Sequence, residues 1–478
     1  MHLPALRFGK PYESIERETL VHFLTGEPVA EVSQVGGALV GRDLQKHAAG
    51  ARKALLAHEP EDVVERLQTA GNLYAHGTVT VGGLPQSPDY CVKQQSATTG
   101  LPESLCRANM QKNMFVLSNM DRMLDALSRG LPTEILWQGY GREHRGVVVS
   151  YQAQSPVLGL VLPSNSPGVH TLWLPVVALG MGLVMKPGSQ EPWTPYRMAA
   201  AMIEAGLPAE AIALYPGPTD VGAGILNGCR RSMIFGSART VEQYRANPNV
   251  QVHGPGFSKI IFGDDCVDDW ERHLDVLVES VAINSGRGCI NTSAIYASRH
   301  TKAIAAALAA RLGPVDVKPP QDPEAKLAAF TIPGAAKAIW GQISAGLSAS
   351  GVTHATADYG DRLVEGDRCG WLRPVVAHCA TPEPEIARAE YMFPFVSVVE
   401  CPQESMLEKM GPTLVCTAIT EDPAFQARLI DCTHVDRLNL GPIPTTKLDW
   451  LQPHEGNIID FLYRSRALQM PAPVEAHA

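Results

Sequence analysis

From Val157 to Phe262 the chain alternates short apolar runs with helical stretches, and this alternation restricts the fold more than any other feature. The runs are Val157–Leu162, Gly182–Lys186, Ala211–Tyr215, Ser232–Phe235 and Lys259–Phe262. Short apolar runs of this kind read as strands buried on both faces. Between them lie helical patterns at His170–Leu179, Trp193–Ala205, Asp220–Leu226 and Thr240–Ala246. Strand and helix in alternation predict a doubly wound parallel sheet, whose strand ends form a natural dinucleotide crevice.

The rest of the chain is long enough for a second unit of the same kind. At 478 residues it exceeds one ordinary core. Helices are predicted over Arg42–Leu56, Pro60–Tyr74 and Cys106–Leu127, after an extended, turn-rich start. Arg145–Ala153 reads as an exposed strand at a sheet edge, available to another subunit, or as a plain hairpin arm. A helix over Asp268–Ile283 leads into a turn at Cys289, and a second alternation runs to about Leu440.

Charge and cysteine usage exclude several classes. The net charge of −9, with no block of Lys and Arg, gives no field for nucleic acid or anionic lipid. The 10 cysteines contain no C-x-x-C pair and no cluster at zinc-ligand spacing, so no metal is expected and the thiols read as free. The start of the chain is too interrupted for a secretory segment, and no apolar run reaches the ~20 residues of a membrane span. The expectation is a cytoplasmic protein without a membrane partner.

Cys289 is the residue most open to chemistry. It lies in Asn284-Ser285-Gly286-Arg287-Gly288-Cys289, a small-residue turn after a helix. Thiolate is the nucleophile, and free cysteine titrates near ~8.5, so an exposed turn beside a cation favours reactivity. Arg287 is the nearest candidate for that cation; it could equally bind an anionic substrate or be a solvated loop charge.

Taken in order, Leu162–Pro167, Met185–Pro192, Pro216–Gly222, Ile234–Ser237, the Cys289 turn and Ala389–Pro394 form a spaced series. That series resembles the aldehyde dehydrogenase superfamily, collinearly over nearly the whole chain. The resemblance implies two doubly wound α/β domains plus a small β oligomerisation element. It implies that Cys289 attacks the aldehyde carbon and that Asn165 stabilises the oxyanion with the cysteine backbone N–H. Hydride passes to a nicotinamide, and the thioester on Cys289 is released by a second nucleophile. Lys186 matches the lysine that holds the adenosine ribose. Gly236 and Ser237 match the glycine-serine that faces phosphate, Gly217 and Gly222 line the same crevice, and Glu390 matches the glutamate on the nicotinamide ribose. Ser189 stands where an acidic residue would exclude a 2′-phosphate, which leaves NAD and NADP both open.

The pattern breaks at the general base. Hydrolytic members carry a glutamate upstream of the cysteine, and the matching position here is Val252. His253, one residue along, is a candidate because free histidine titrates near ~6.5, although strand alternation turns its ring to the face opposite Val252. Glu455, in a His454-Glu455-Gly456 stretch resembling the arginine-glutamate-glycine of hydrolytic members, is a second candidate base or relay. The helix after Asn165 lacks the family lysine, with Leu174 near its place.

These features favour acyl transfer to coenzyme A over hydrolysis to the acid, with a non-catalytic relative as the remaining alternative. The expected division is 1–140 and 158–253 for NAD(P) binding, 254–440 for the catalytic domain, and 141–157 with 441–478 for oligomerisation. A small-molecule aldehyde and a homodimer or homotetramer are the expected partners. Trp173 and Trp450 hint at an apolar or aromatic substrate, or are plain core.

Overall fold

The computed structural model describes residues 1–470. The tail from 471 to 478, assigned above to the oligomerisation element, lies outside the described residues.

Two seven-stranded sheets organise the chain. In the first, Val157–Val161 lies at the centre, paired in parallel with Gly182–Lys186 on one side and Ser232–Phe235 on the other. Ile212–Leu214 extends the sheet beyond Gly182–Lys186, and Val250–His253 extends it beyond Ser232–Phe235. The chain therefore winds outward from Val157–Val161 in one direction, then returns to its other flank. The crevice at such a reversal, outside the strand carboxyl ends, is where open α/β sheets take ligands. The apolar runs are buried as their composition demands: Leu158, Leu160, Leu183 and Val184 are fully inaccessible.

The second sheet is built around Ser258–Phe262, Thr292–Ala297 and Phe395–Glu400, again parallel. Thr413–Ile419 and Val435–Leu440 continue it on one side, Val375–Cys379 and the antiparallel Val352–His354 on the other. Lys259–Phe262 thus belongs to this sheet, although the sequence pattern runs it on from the first. Its neighbours are set by distant strands that the local pattern does not specify.

Helix limits move in three places for local reasons. The stretch Cys106–Leu127 is two helices, Glu103–Ser118 and Met120–Ser128, separated at Asn119 (φ −119°, ψ 29°). The Asn119 amide donates to the Phe115 carbonyl at 2.8 Å, competing with the helix ladder. The stretch His170–Leu179 is a 3₁₀ segment, Pro167–Leu172, followed by one short α turn starting at Pro175, whose ring lacks the N–H that a continuous helix needs. Asp268–Ile283 likewise splits at His273 (φ −107°, ψ 4°) into a 3₁₀ segment, Val267–His273, itself kinked at Asp269, and an α-helix, Leu274–Ala282.

The strand expected at an edge is not one. Val148–Ala153 pairs with Tyr140–Arg142 on one side and Tyr463–Arg466 on the other. It is the centre of a three-stranded antiparallel sheet, and the free edges fall on its neighbours. Asn457 fixes the approach of the last strand by capping its preceding helix and donating to the Leu127 carbonyl at 2.7 Å. No described helix is long and apolar enough to cross a membrane.

Candidate active site

Cys289 sits on a backbone that is locked before it. Asn284, Ser285 and Gly286 follow the Leu274–Ala282 helix with φ of 52°, 57° and 64°. Successive left-handed residues are costly for non-glycine side chains and persist only where surroundings over-determine them. Here they do. Asn284 accepts from the Asn109 amide at 2.9 Å and donates to Ser166 Oγ at 3.0 Å, and Ser285 Oγ accepts from the Ala328 N–H at 2.8 Å. Beyond the bend, Asn291 accepts from the Gly288 N–H at 2.9 Å and donates to the Ile283 carbonyl at 3.0 Å. Gly256 packs beneath, where an added Cβ would run into the Cys289 carbonyl.

Arg287 has neither of the roles nearest at hand from sequence. Its guanidinium is buried and donates to the backbone carbonyls of Thr99, at 3.2 Å, and Ala329, with Phe330 against it. It is a structural strut, not a solvated charge and not the partner of the thiol. The cation that opposes thiol neutrality is Lys112, from the Glu103–Ser118 helix.

A cavity of about 820 Å³ opens over the turn, lined among others by Cys289, Asn165, Lys112, His253, His454 and Glu390. The Asn165 amide donates to the Arg287 carbonyl at 3.0 Å and faces the Met392 sulfur at 3.5 Å. A thioether is a weak acceptor, so an oxyanion forming nearby would displace it readily. The Cys289 N–H has no backbone acceptor among the described residues. Asn165 and Cys289 both line the cavity.

Val252 turns away to pack with the apolar group around Ile234 and Val241, and His253 turns into the cavity wall, as strand alternation requires. The His253 ring stacks on Phe235, centroids 4.5 Å apart, and Nδ1 meets a Glu455 carboxylate oxygen. Cys289 Sγ, a His454 ring nitrogen and a Glu455 oxygen all lie within 4.8 Å of one another. This convergence joins residues remote in sequence, so cysteine spacing held no sign of it.

Local charge sets the protonation states. Burial, reinforced by Glu455 and Glu390, pushes the Cys289 thiol well above its ordinary range, with Lys112 opposing. The setting is therefore enclosed and flanked by carboxylates, not the exposed electropositive turn expected from sequence. Burial acts to raise Glu455, but His253, His454 and Arg437 together outweigh it and the net shift is downward, which favours the ionised carboxylate. Burial pushes His454 down to about 4. Its Nδ1 lies 3.0 Å from an Arg437 N–H. Arginine only donates, so the neutral ring carries its proton on Nε2.

The remaining residues marked by sequence, Glu390 apart, lie at the ends of strands of the first sheet or in the segments that follow them. Gly236 and Ser237 follow Ser232–Phe235 and line the cavity, and Ser237 Oγ caps the next helix by accepting from the Thr240 N–H. Lys186 ends the adjacent strand, its side chain beside Gly222, and burial lowers its pKa. Ser189 is exposed in the following turn. Gly217 admits no side chain, since a Cβ would approach the Val35 carbonyl oxygen to 2.5 Å. These four lie away from the residues around the thiol, along neighbouring strand ends. Glu390 accepts from the Gly256 N–H at 3.1 Å and from the Phe257 N–H, and burial pushes it up to about 7. Lysine at the end of one strand, open backbone after another and a carboxylate inside the cavity are donors and acceptors suited to a ribose-phosphate chain. Lys112 and Arg437 were not legible as site residues.

The chain belongs to the aldehyde dehydrogenase family, which it matches over residues 84–410. Among curated relatives, it is 28% identical over 282 residues to the Mycolicibacterium smegmatis protein named "Putative succinate-semialdehyde dehydrogenase [NADP(+)]", covering 55% of this chain and 52% of that one. It is 26% identical over 251 residues to betaine aldehyde dehydrogenase of Cereibacter sphaeroides, covering 49% and 50%. The chain thus spans about half the length of the curated relatives it matches. In fold it is similar to the indole-3-acetaldehyde dehydrogenase of P. syringae, with TM-score 0.79, 16% identity and coverage of 97% and 95%. It is likewise similar to the NADP-dependent glyceraldehyde-3-phosphate dehydrogenase of Bacillus halodurans, with TM-score 0.75, 16% identity and coverage of 98% of both chains.

Proposed function

We propose that this protein is an NAD(P)-dependent aldehyde oxidoreductase that works through a covalent adduct on Cys289 and releases a carboxylic acid. The observation that carries the reading is the convergence of Cys289, His454 and Glu455, whose Sγ, ring nitrogen and carboxylate oxygen lie within 4.8 Å of one another, beside the cavity that Asn165 lines. Glu455, ionised, takes the thiol proton as Cys289 attacks the aldehyde carbon. Asn165 and the Cys289 N–H hold the oxyanion. The bound nicotinamide supplies the hydride acceptor. Glu455 loses the thiol proton to solvent; water then attacks the Cys289 thioester and gives a proton to Glu455, which returns it to the departing thiolate, so the free acid leaves and the thiol is restored. His253 holds the Glu455 carboxylate in place. Lys186, Ser189, Gly217, Gly222, Gly236, Ser237 and Glu390 would bind the dinucleotide, whether NAD or NADP.

Acyl transfer to coenzyme A is the second reading. It is favoured by Val252, which leaves the usual base position apolar. In this reading the attacking thiol needs little help from a base. The same proposal takes 1–140 with 158–253 as the cofactor domain and 254–440 as the catalytic domain. It takes 141–157 with 441–478 as the element through which copies assemble into a dimer or tetramer.

The test is NADH and NADPH formation from a panel of aldehydes, with and without coenzyme A, beside Cys289→Ala. Free acid formed without coenzyme A supports the hydrolytic route; strict dependence on coenzyme A replaces it with the acylating one. Turnover surviving in Cys289→Ala would overturn both. Light scattering at micromolar protein tests assembly, and a monomer would remove the oligomeric proposal.

A further inference from the structure

A second charged group in the cavity has no counterpart in this scheme. Lys112 projects from the Glu103–Ser118 helix into the cavity that holds Cys289. Its ammonium would lie 3.4 Å from a Cβ added at Gly168, and it sits 5.5 Å from the centre of the Trp450 ring. Among the described residues it makes no ion pair and no hydrogen bond, and its side chain is half-buried. Such an ammonium without a carboxylate is costly to the extent that it is desolvated, because no partner offsets the loss of water. Its pKa falls to about 8 through burial, with Arg437 adding to the fall and Cys289 opposing it.

We infer that Lys112 is the anchor for an anionic group on the substrate, so that the preferred aldehydes carry a carboxylate or phosphate a short chain away from the carbonyl. The inference rests on the aldehyde-oxidising reading above and names its substrate class. A bound anion supplies the partner that Lys112 lacks, and the cation–π contact with Trp450 holds the ammonium in place meanwhile. The short chain follows from proximity. Asn109, one turn before Lys112 on the same helix, donates to Asn284 of the Cys289 turn at 2.9 Å, and Lys112 and Cys289 line the same cavity, so aldehyde and anion must lie close together.

The experiment compares kcat and KM for a short ω-carboxy aldehyde, an aldehyde phosphate ester and the neutral alkyl aldehyde of matching length. Each is measured with the wild type, Lys112→Met and Lys112→Arg. The expected result is a preference for at least one anionic substrate that falls roughly 30-fold or more in Lys112→Met, mainly through KM, and is largely restored in Lys112→Arg. The carboxylate and phosphate arms identify which anion is preferred. Equal losses for charged and neutral aldehydes in Lys112→Met would overturn the inference, because Lys112 would then act on the thiol alone. So would a wild type indifferent to substrate charge. Failure to oxidise any aldehyde would instead refute the activity itself. Circular dichroism and dinucleotide binding matching the wild type show that Lys112→Met folds.

Discussion

The Glu455 carboxylate meets Nδ1 of His253 on the wall of the cavity that contains Cys289. One residue ends an edge strand of the first sheet and the other lies beyond the last strand of the second. Replacing Glu455 by Gln should act in opposite directions on two observables. The negative charge that helps raise the Cys289 pKa disappears, so alkylation of the thiol at neutral pH should quicken severalfold. Turnover should fall by about 10²-fold or more, because the base is gone. Iodoacetamide labelling beside steady-state rates checks this, and unchanged turnover would remove Glu455 from the mechanism.

Gly256→Ala tests how tightly the nucleophile is held. The new methyl group would strike the Cys289 carbonyl and shift the turn. Displacement of a reacting group by about 1 Å costs on the order of 10²-fold in rate. The expected variant is folded by circular dichroism, retains cofactor binding and has lost most activity. Wild-type kinetics would mean that the turn yields freely.

Arg287 should matter to stability through hydrogen bonds, not through charge on the thiol. In Arg287→Met the Thr99 and Ala329 carbonyls lose their donors inside the protein, at a cost of about 2–4 kcal/mol. Lys has one ammonium in place of a planar fork, so Arg287→Lys should recover only part of this. Thermal unfolding of the three proteins decides it, and a full rescue by Lys would contradict the strut.

Glu390 makes stability depend on pH in a predictable sense. Burial raises its carboxyl from the ordinary 4.5 to about 7, so the folded state holds the proton where the unfolded chain has released it. The stability from this group is complete below 4.5 and is lost as pH rises through 7. Glu390→Gln does not ionise, so the variant should gain on the wild type by on the order of 1–3 kcal/mol between about pH 4.5 and pH 8. Melting curves of both proteins across that range provide the check. A constant difference would show that Glu390 titrates normally.

The buried parallel strands were legible because their function in the fold is written locally. Val157–Leu162 and Gly182–Lys186 are apolar on both faces since helices cover both, and no other context is needed to read them. Cys289 and Asn165 were legible through the small and turn-forming residues around them. The partners of a side chain are written elsewhere. Arg287 finds backbone carbonyls, which carry no residue signature, so its cationic character suggested solvent or thiol instead. Lys112 looked like one polar position on a helix, and only packing of that helix over Gly168 makes it an interior charge. The strand Val148–Ala153 looked like an edge because its second neighbour, Tyr463–Arg466, comes from the far end of the chain.

That last pairing has a consequence for the order in which the site comes into being. The segment that carries His454 and Glu455 is anchored on its far side by Tyr463–Arg466 against Val148–Ala153. During synthesis Cys289 leaves the ribosome well before His454 and Glu455. Cys289 therefore acquires its final reactivity only once the segment that carries these two, and the strand Tyr463–Arg466 that anchors it, has been made.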